Sequence, residues 1–208
     1  MRFCLLLLAG MLVTGCAGRV IQPAVLHEPV IIYLLDHGRH SSLVLPREEG
    51  IARYAYGEWE WYVKDRRGAL AGMSAMLWPT RGALGRKVFP GVRIPPFPSH
   101  VAPEGIEEVL TLRTEKSLVR RLLRELDSYF EEGREELIHH PVYDLDFVPY
   151  PESYWFGHQS NQVTAEWLRQ LGYTVSGVVW LSDWRIEAPP LVNEAKKGGV
   201  PGAGQGQD

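Results

Sequence analysis

Apolar and polar positions alternate along this chain in patterns that define elements one by one. Residues 29–35, Pro-Val-Ile-Ile-Tyr-Leu-Leu, form an apolar, β-branched run that predicts a buried strand. Asp36-His37-Gly38-Arg39-His40 breaks it as a turn, and residues 41–45 predict a second strand stopped by Pro46, so the two read as a hairpin. Residues 54–63 are dense in aromatics, and their alternation predicts a third strand near residues 59–63. Residues 68–76 suit a short helix that Pro79 ends. Prolines at Pro79, Pro90, Pro95, Pro96, Pro98 and Pro103 keep the next stretch extended. Residues 106–112 read as a strand, and Thr114 then reads as a helix N-cap. Leu118, Leu122, Leu126, Tyr129 and Phe130 recur at helical spacing up to a stop at Gly133. Residues 134–157 look irregular, with His139-His140 a loop pair, and residues 161–171 predict a second helix capped by Gly172. Residues 175–181 suit a last strand. The pattern predicts one α+β domain over residues 29–187, an antiparallel sheet packed by two main helices, followed by a disordered tail at 188–208.

The first 15 residues stand apart. Arg2 precedes an apolar run at residues 3–13 that is too short to span a bilayer but fits a secretory leader. It ends in Val13-Thr14-Gly15-Cys16, which resembles the bacterial lipoprotein signal. The resemblance implies acylation of Cys16 and cleavage before it, with several acyl chains making a lasting membrane anchor. No aspartate follows Cys16, so resemblance to enterobacterial sorting favours the outer membrane, facing the periplasm. An ordinary leader with an incidental cysteine is the alternative. Residues 16–28 read as a tether.

Composition narrows the chemistry. The 208 residues carry 22 Lys and Arg against 25 Asp and Glu, so there is no electrostatic footprint for nucleic acid. Cleavage after residue 15 removes Arg2 alone and leaves 21 basic residues and a net charge of −4. Cys4 and Cys16 are the two thiols, and both lie in the leader region, which excludes disulfides and cysteine nucleophiles from the body. His37 and His40 with His139, His140 and His158 do not make a metal-ligand pattern, so no cofactor and no metal are expected.

Three segments gather reactive polar groups: residues 36–40, residues 57–60 and the helix head His158-Gln159-Ser160-Asn161. An imidazole is the usual general base near neutral pH. A hydroxyl at a helix N-terminus sits where backbone N–H groups favour negative charge. Together they follow the logic of papain-like acyl transfer. Ser160 suits an N-cap equally well, and His40 and His37 suit a structured turn. Trp155 and Phe156, beside Ser160, are candidates to line a groove for a sugar or an acyl chain.

The stretches at residues 36–46, 56–62, 75–80 and 160–168 resemble, in order and rough spacing, a bacterial domain-of-unknown-function family labelled urease-region conserved hypothetical protein. The resemblance covers about residues 30–177. That family is distantly similar to permuted papain-like hydrolases of the NlpC type, which implies His40 as base, Ser160 at the nucleophile position and Glu60 as an orienting carboxylate. Asn161, Trp155 and His37 would then line the substrate site. The chain departs from the family at the key position, because Ser160 stands where the family has cysteine. A serine hydroxyl is much harder to deprotonate than a thiol. Two readings follow. One is a lipid-anchored envelope protein that has lost activity and binds an envelope ligand. The other is a hydrolase or acyltransferase acting on amide or ester bonds of a peptidoglycan peptide or lipid.

Overall fold

The computed structural model describes residues 18–64, 78–177, 179–180 and 182–189. The acylation signal with Cys16, the helix expected at 68–76 and nearly all of the expected tail lie outside these residues. Among the described residues, ten strands form two sheets: β1 (Gly18–Ile21), β2 (Pro29–Asp36), β3 (Ser41–Arg47), β4 (Gly50–Glu58), β5 (Gly82–Phe89), β6 (Glu108–Glu115), β7 (Ile138–His140), β8 (Leu145–Pro149), β9 (Thr174–Ser176) and β10 (Trp184–Glu187). The main sheet has the order β6-β2-β3-β4-β5-β8-β7, with every neighbouring pair antiparallel. In the small sheet, β1 pairs parallel with β10 and antiparallel with β9. Two helices, α1 (Lys116–Glu132) and α2 (Ser160–Gln170), pack on one face of the main sheet. The α+β class is therefore as the pattern predicts.

Period-two alternation sorts the strand residues between two faces. Ile32, Leu34, Leu43, Leu45, Ala52, Tyr54 and Leu84 join Val119, Leu122, Leu126, Phe130, Val163, Trp167 and Leu168 in the large core beneath the helices. Tyr33, Leu35, Val44 and Ile51 face the other way, where Phe97, Val101 and Ala102 of the proline-rich loop cover them. Beside this second core, Ala55, Ala83, Leu145 and Phe147 pack with Trp59 and Val63. A sheet covered on both faces explains why residues 30–35 are continuously apolar instead of alternating.

Several sequence expectations are corrected. Pro46 does not stop β3, because Pro46 stays in register with Ile51 at the hairpin end. Residues Trp59–Val63 form a π-helical turn, not a strand. Trp59 and Val63 are its buried positions, four residues apart, and the Glu58 side chain caps it by accepting from Trp61 N at 2.6 Å. The preceding strand is β4, which already holds Tyr54 and Tyr56. Thr114 is not a cap: it lies in β6, its Oγ1 donates to Leu171 O, and Glu115 takes the cap position. The stretch thought irregular contains β7 and β8, in which His139 faces Asp146 across the ladder and bonds it at 2.8 Å. The expected tether includes β1, whose Val20 is wholly buried. Of the last strand expected at 175–181, β9 covers only the start and ends at Ser176, and β10 (Trp184–Glu187) follows beyond it.

Candidate functional site

The β2–β3 turn is built by residues that allow little else. Gly38 has φ of +86° and donates its N–H to Asp36 Oδ1 at 2.6 Å, a side-chain-closed turn that only glycine adopts without strain. His37 N donates to His40 O at 3.0 Å, closing the turn on itself. The two rings then stack, with centroids 4.7 Å apart.

A buried polar network anchors His37. Its Nδ1 lies 2.6 Å from Gly105 O, an acceptor only, so Nδ1 carries the proton and Nε2 is a lone pair. Ser42 Oγ, at 2.9 Å, donates to that Nε2 and accepts from Arg53 Nε at 3.0 Å. Arg53 is completely buried. Its guanidinium also donates to Val101 O at 3.1 Å and grips both carboxylate oxygens of Glu104. Burial, aided by the Arg53 charge, pushes the His37 imidazole down to about 4. His37 is thus neutral, with both ring nitrogens engaged, and it is not free to hold a substrate.

His40 differs. Among the described residues neither of its ring nitrogens makes a hydrogen bond, while Tyr62 and Tyr143 approach its ring edge-on at 5.7 and 6.4 Å. Burial, followed by the neighbouring His37, pushes it down to about 4 as well. It borders a recess walled by Arg53, Glu104, Tyr62, Tyr143 and Phe147, whose free volume of about 10 Å³ has room for about one water molecule.

The head of α2 is equally well built but differently used. Gln159 caps the helix by accepting from Asn161 N at 3.0 Å, and its Nε2 donates to Val179 O at 2.8 Å. Ser160 Oγ donates to Gln159 Oε1 at 3.3 Å and, among the described residues, makes no hydrogen bond to an imidazole. Asn161 Nδ2 donates to Arg39 O at 3.2 Å and to Trp180 O at 3.3 Å, while its Oδ1 accepts from Ser41 Oγ at 3.1 Å. Trp184 Nε1 donates to the same Ser41 Oγ at 2.7 Å. Asn161 is a rivet joining the helix head to the β2–β3 turn and to the loop before β10.

The structure therefore brings the turn and the helix head into contact but separates the two candidate groups. Ser41 faces the helix side, bonded to Asn161, whereas Ser42 faces the opposite side, bonded to His37 and Arg53. His40 lies with Ser42 on the face covered by Tyr62 and Tyr143, and Ser160 lies on the helix face. Glu60 is not the carboxylate that faces the histidines; its Oε1 pairs with Lys64 at 2.8 Å in the π-turn. Glu104 takes that place, with an oxygen 3.9 Å from His37 Nδ1. Trp155 is 46% exposed and lies away from the His40 recess. Sequence reasoning missed Arg53 and Glu104. Arg53 carried a readable signal, a lone cation between the apolar positions of a buried strand; Glu104, in a loop, carried none. Comparison with family models, curated proteins and solved structures finds no match for this chain.

Proposed function

We propose that the protein is a lipid-anchored component of the bacterial envelope that binds a ligand at the His40 recess and does not hydrolyse acyl bonds through Ser160. On this reading it is an inactive relative of the permuted papain-like hydrolases. The order of histidine turn and helix head supports that kinship, as does the docking of Asn161 onto Arg39 and Ser41. The anchor rests on Cys16, and among the described residues no helix is long and apolar enough to cross a membrane. One observation carries the loss of activity: the Ser160 hydroxyl is committed to Gln159 Oε1 on the helix face of the sheet, while the His40 imidazole opens on the other. A general base must reach the proton it removes, directly or through one water. The ligand would be an envelope component, a peptidoglycan peptide or a lipid, docking at the mouth of the recess beside His40, Tyr62 and Tyr143.

A fluorophosphonate probe tests this. Wild type, Ser160→Ala and His40→Ala should label equally weakly. Labelling of the wild type that both substitutions abolish would restore the hydrolase reading with Ser160 as nucleophile and His40 as base.

A further inference from the structure

A second histidine lies in a different setting. His158 stands just before α2, and its side chain is 9% exposed. Its Nδ1 lies 3.0 Å from Ser153 O and 3.3 Å from Tyr56 Oη. A carbonyl accepts only, so Nδ1 carries the proton and the neutral ring presents Nε2 as a lone pair. That Nε2 is buried and makes no well-aimed hydrogen bond. Two carboxylates converge on it: Glu152 Oε2 at 2.9 Å, from the loop after β8, and Glu166 Oε2 at 3.7 Å, from the second turn of α2. One donor atom from each of the three groups lies within 4.8 Å of the others.

A buried lone pair facing two negative oxygens is repulsive unless a positive charge lies between them. We propose that Glu152, His158 and Glu166 bind a divalent transition-metal ion of the zinc class. The spacing fits, since ligands each about 2.1 Å from a metal lie about 3.0–3.4 Å from one another. A modest turn of the exposed Glu166 carboxylate closes the longer edge. The hydrogen bond from Nδ1 to a backbone carbonyl is the usual outer support that fixes the tautomer of a ligating histidine. One nitrogen and two carboxylates favour a borderline ion over the oxygen-seeking calcium or magnesium. Three protein ligands leave coordination positions open to water or to a donor group of a ligand. The other histidine–carboxylate cluster, His37, His40 and Glu104, is a poorer site. Arg53 already occupies Glu104 there and places a cation where the metal would sit.

The competing arrangement is a proton in place of the metal, giving an imidazolium held by the two glutamates; the nearby Glu166 carboxylate does raise the His158 pKa. Zinc titration by calorimetry separates the two. The full-length chain would carry Cys4→Ser and Cys16→Ser, so that no thiol competes. We expect one zinc ion per chain at micromolar affinity or tighter. The Glu152→Gln/Glu166→Gln double variant, altered at two exposed positions, should bind at least about tenfold more weakly. His139→Ala, which removes the exposed His139–Asp146 pair, should bind as the parent does. Failure of the parent chain to bind zinc overturns the proposal. So does unchanged binding by the double variant, or loss of binding in His139→Ala.

Discussion

Arg53 shows how one residue organises a face of the sheet. It is fully buried and donates to Ser42, Val101 and both oxygens of Glu104. Glu104 is itself nearly buried, its side chain 8% exposed. Removing one member of a buried pair leaves the other charge uncompensated, at a cost of about 3–5 kcal/mol, whereas replacing both with apolar groups is often close to neutral. Glu104→Ala should therefore lower stability in urea unfolding by that amount, and Arg53→Met/Glu104→Leu should recover most of it. A double variant as unstable as the single would show that the pair itself is needed. The two stacked imidazoles add a pH dependence. Both are held at about 4, below the ordinary 6.5, by burial first and then by the Arg53 charge for His37 and by the adjacent His37 ring for His40. The unfolded chain thus takes up protons between these values that the folded chain refuses. Stability is complete above pH 6.5 and falls as pH drops toward 4, by at most about 3 kcal/mol per ring. Without a metal, His158 works in the opposite sense. Its pKa is raised, so its contribution is present below 6.5 and is lost as pH rises through the higher value. Urea midpoints should therefore fall between neutral and mildly acidic pH, and His40→Gln should flatten the fall; an unchanged slope would place His40 in contact with water.

At the scale of elements, the decisive feature is the alternation along β3 and β4. Ser41 and Ser42 are adjacent in sequence yet serve opposite faces, one tied to α2 and the other to the histidine network. A reading that places a histidine turn beside a nucleophile helix is correct about proximity and silent about face. This is why His40 and Ser160 read as partners in the chain and part in the fold. The same limit explains the π-turn at Trp59–Val63. Trp59 and Val63 are four apart and satisfy a helical repeat, while the aromatic density between them imitates alternation. The helices were legible because α1 repeats its apolar positions over several turns and ends at Gly133. β7 and β10 were not, because strands of three and four residues carry too few positions to show any period.

At the scale of the whole molecule, two layers cover the main sheet, and the small sheet ties the two ends of the described chain together. β1, just after the expected acylation site, pairs with β10, near the last described residue. An acyl group on Cys16 would therefore hold the domain close to the bilayer, only one residue separating Cys16 from the first strand. Cys16→Ala should leave an unprocessed precursor that lacks the mass of the acyl chains, read by mass spectrometry of the membrane fraction. Normal processing in that variant would point to an ordinary leader.

The sequence by itself determined the α+β class, the β2–β3 hairpin and both helices. Each of these rests on local periodicity or turn chemistry. Only the tertiary structure decided which groups meet. The Arg53–Glu104 pair spans 51 residues, and Glu152, His158 and Glu166 converge because a loop returns onto the head of α2. Such encounters depend on which face of a sheet a side chain takes and on how loops close, and a period along the chain encodes neither.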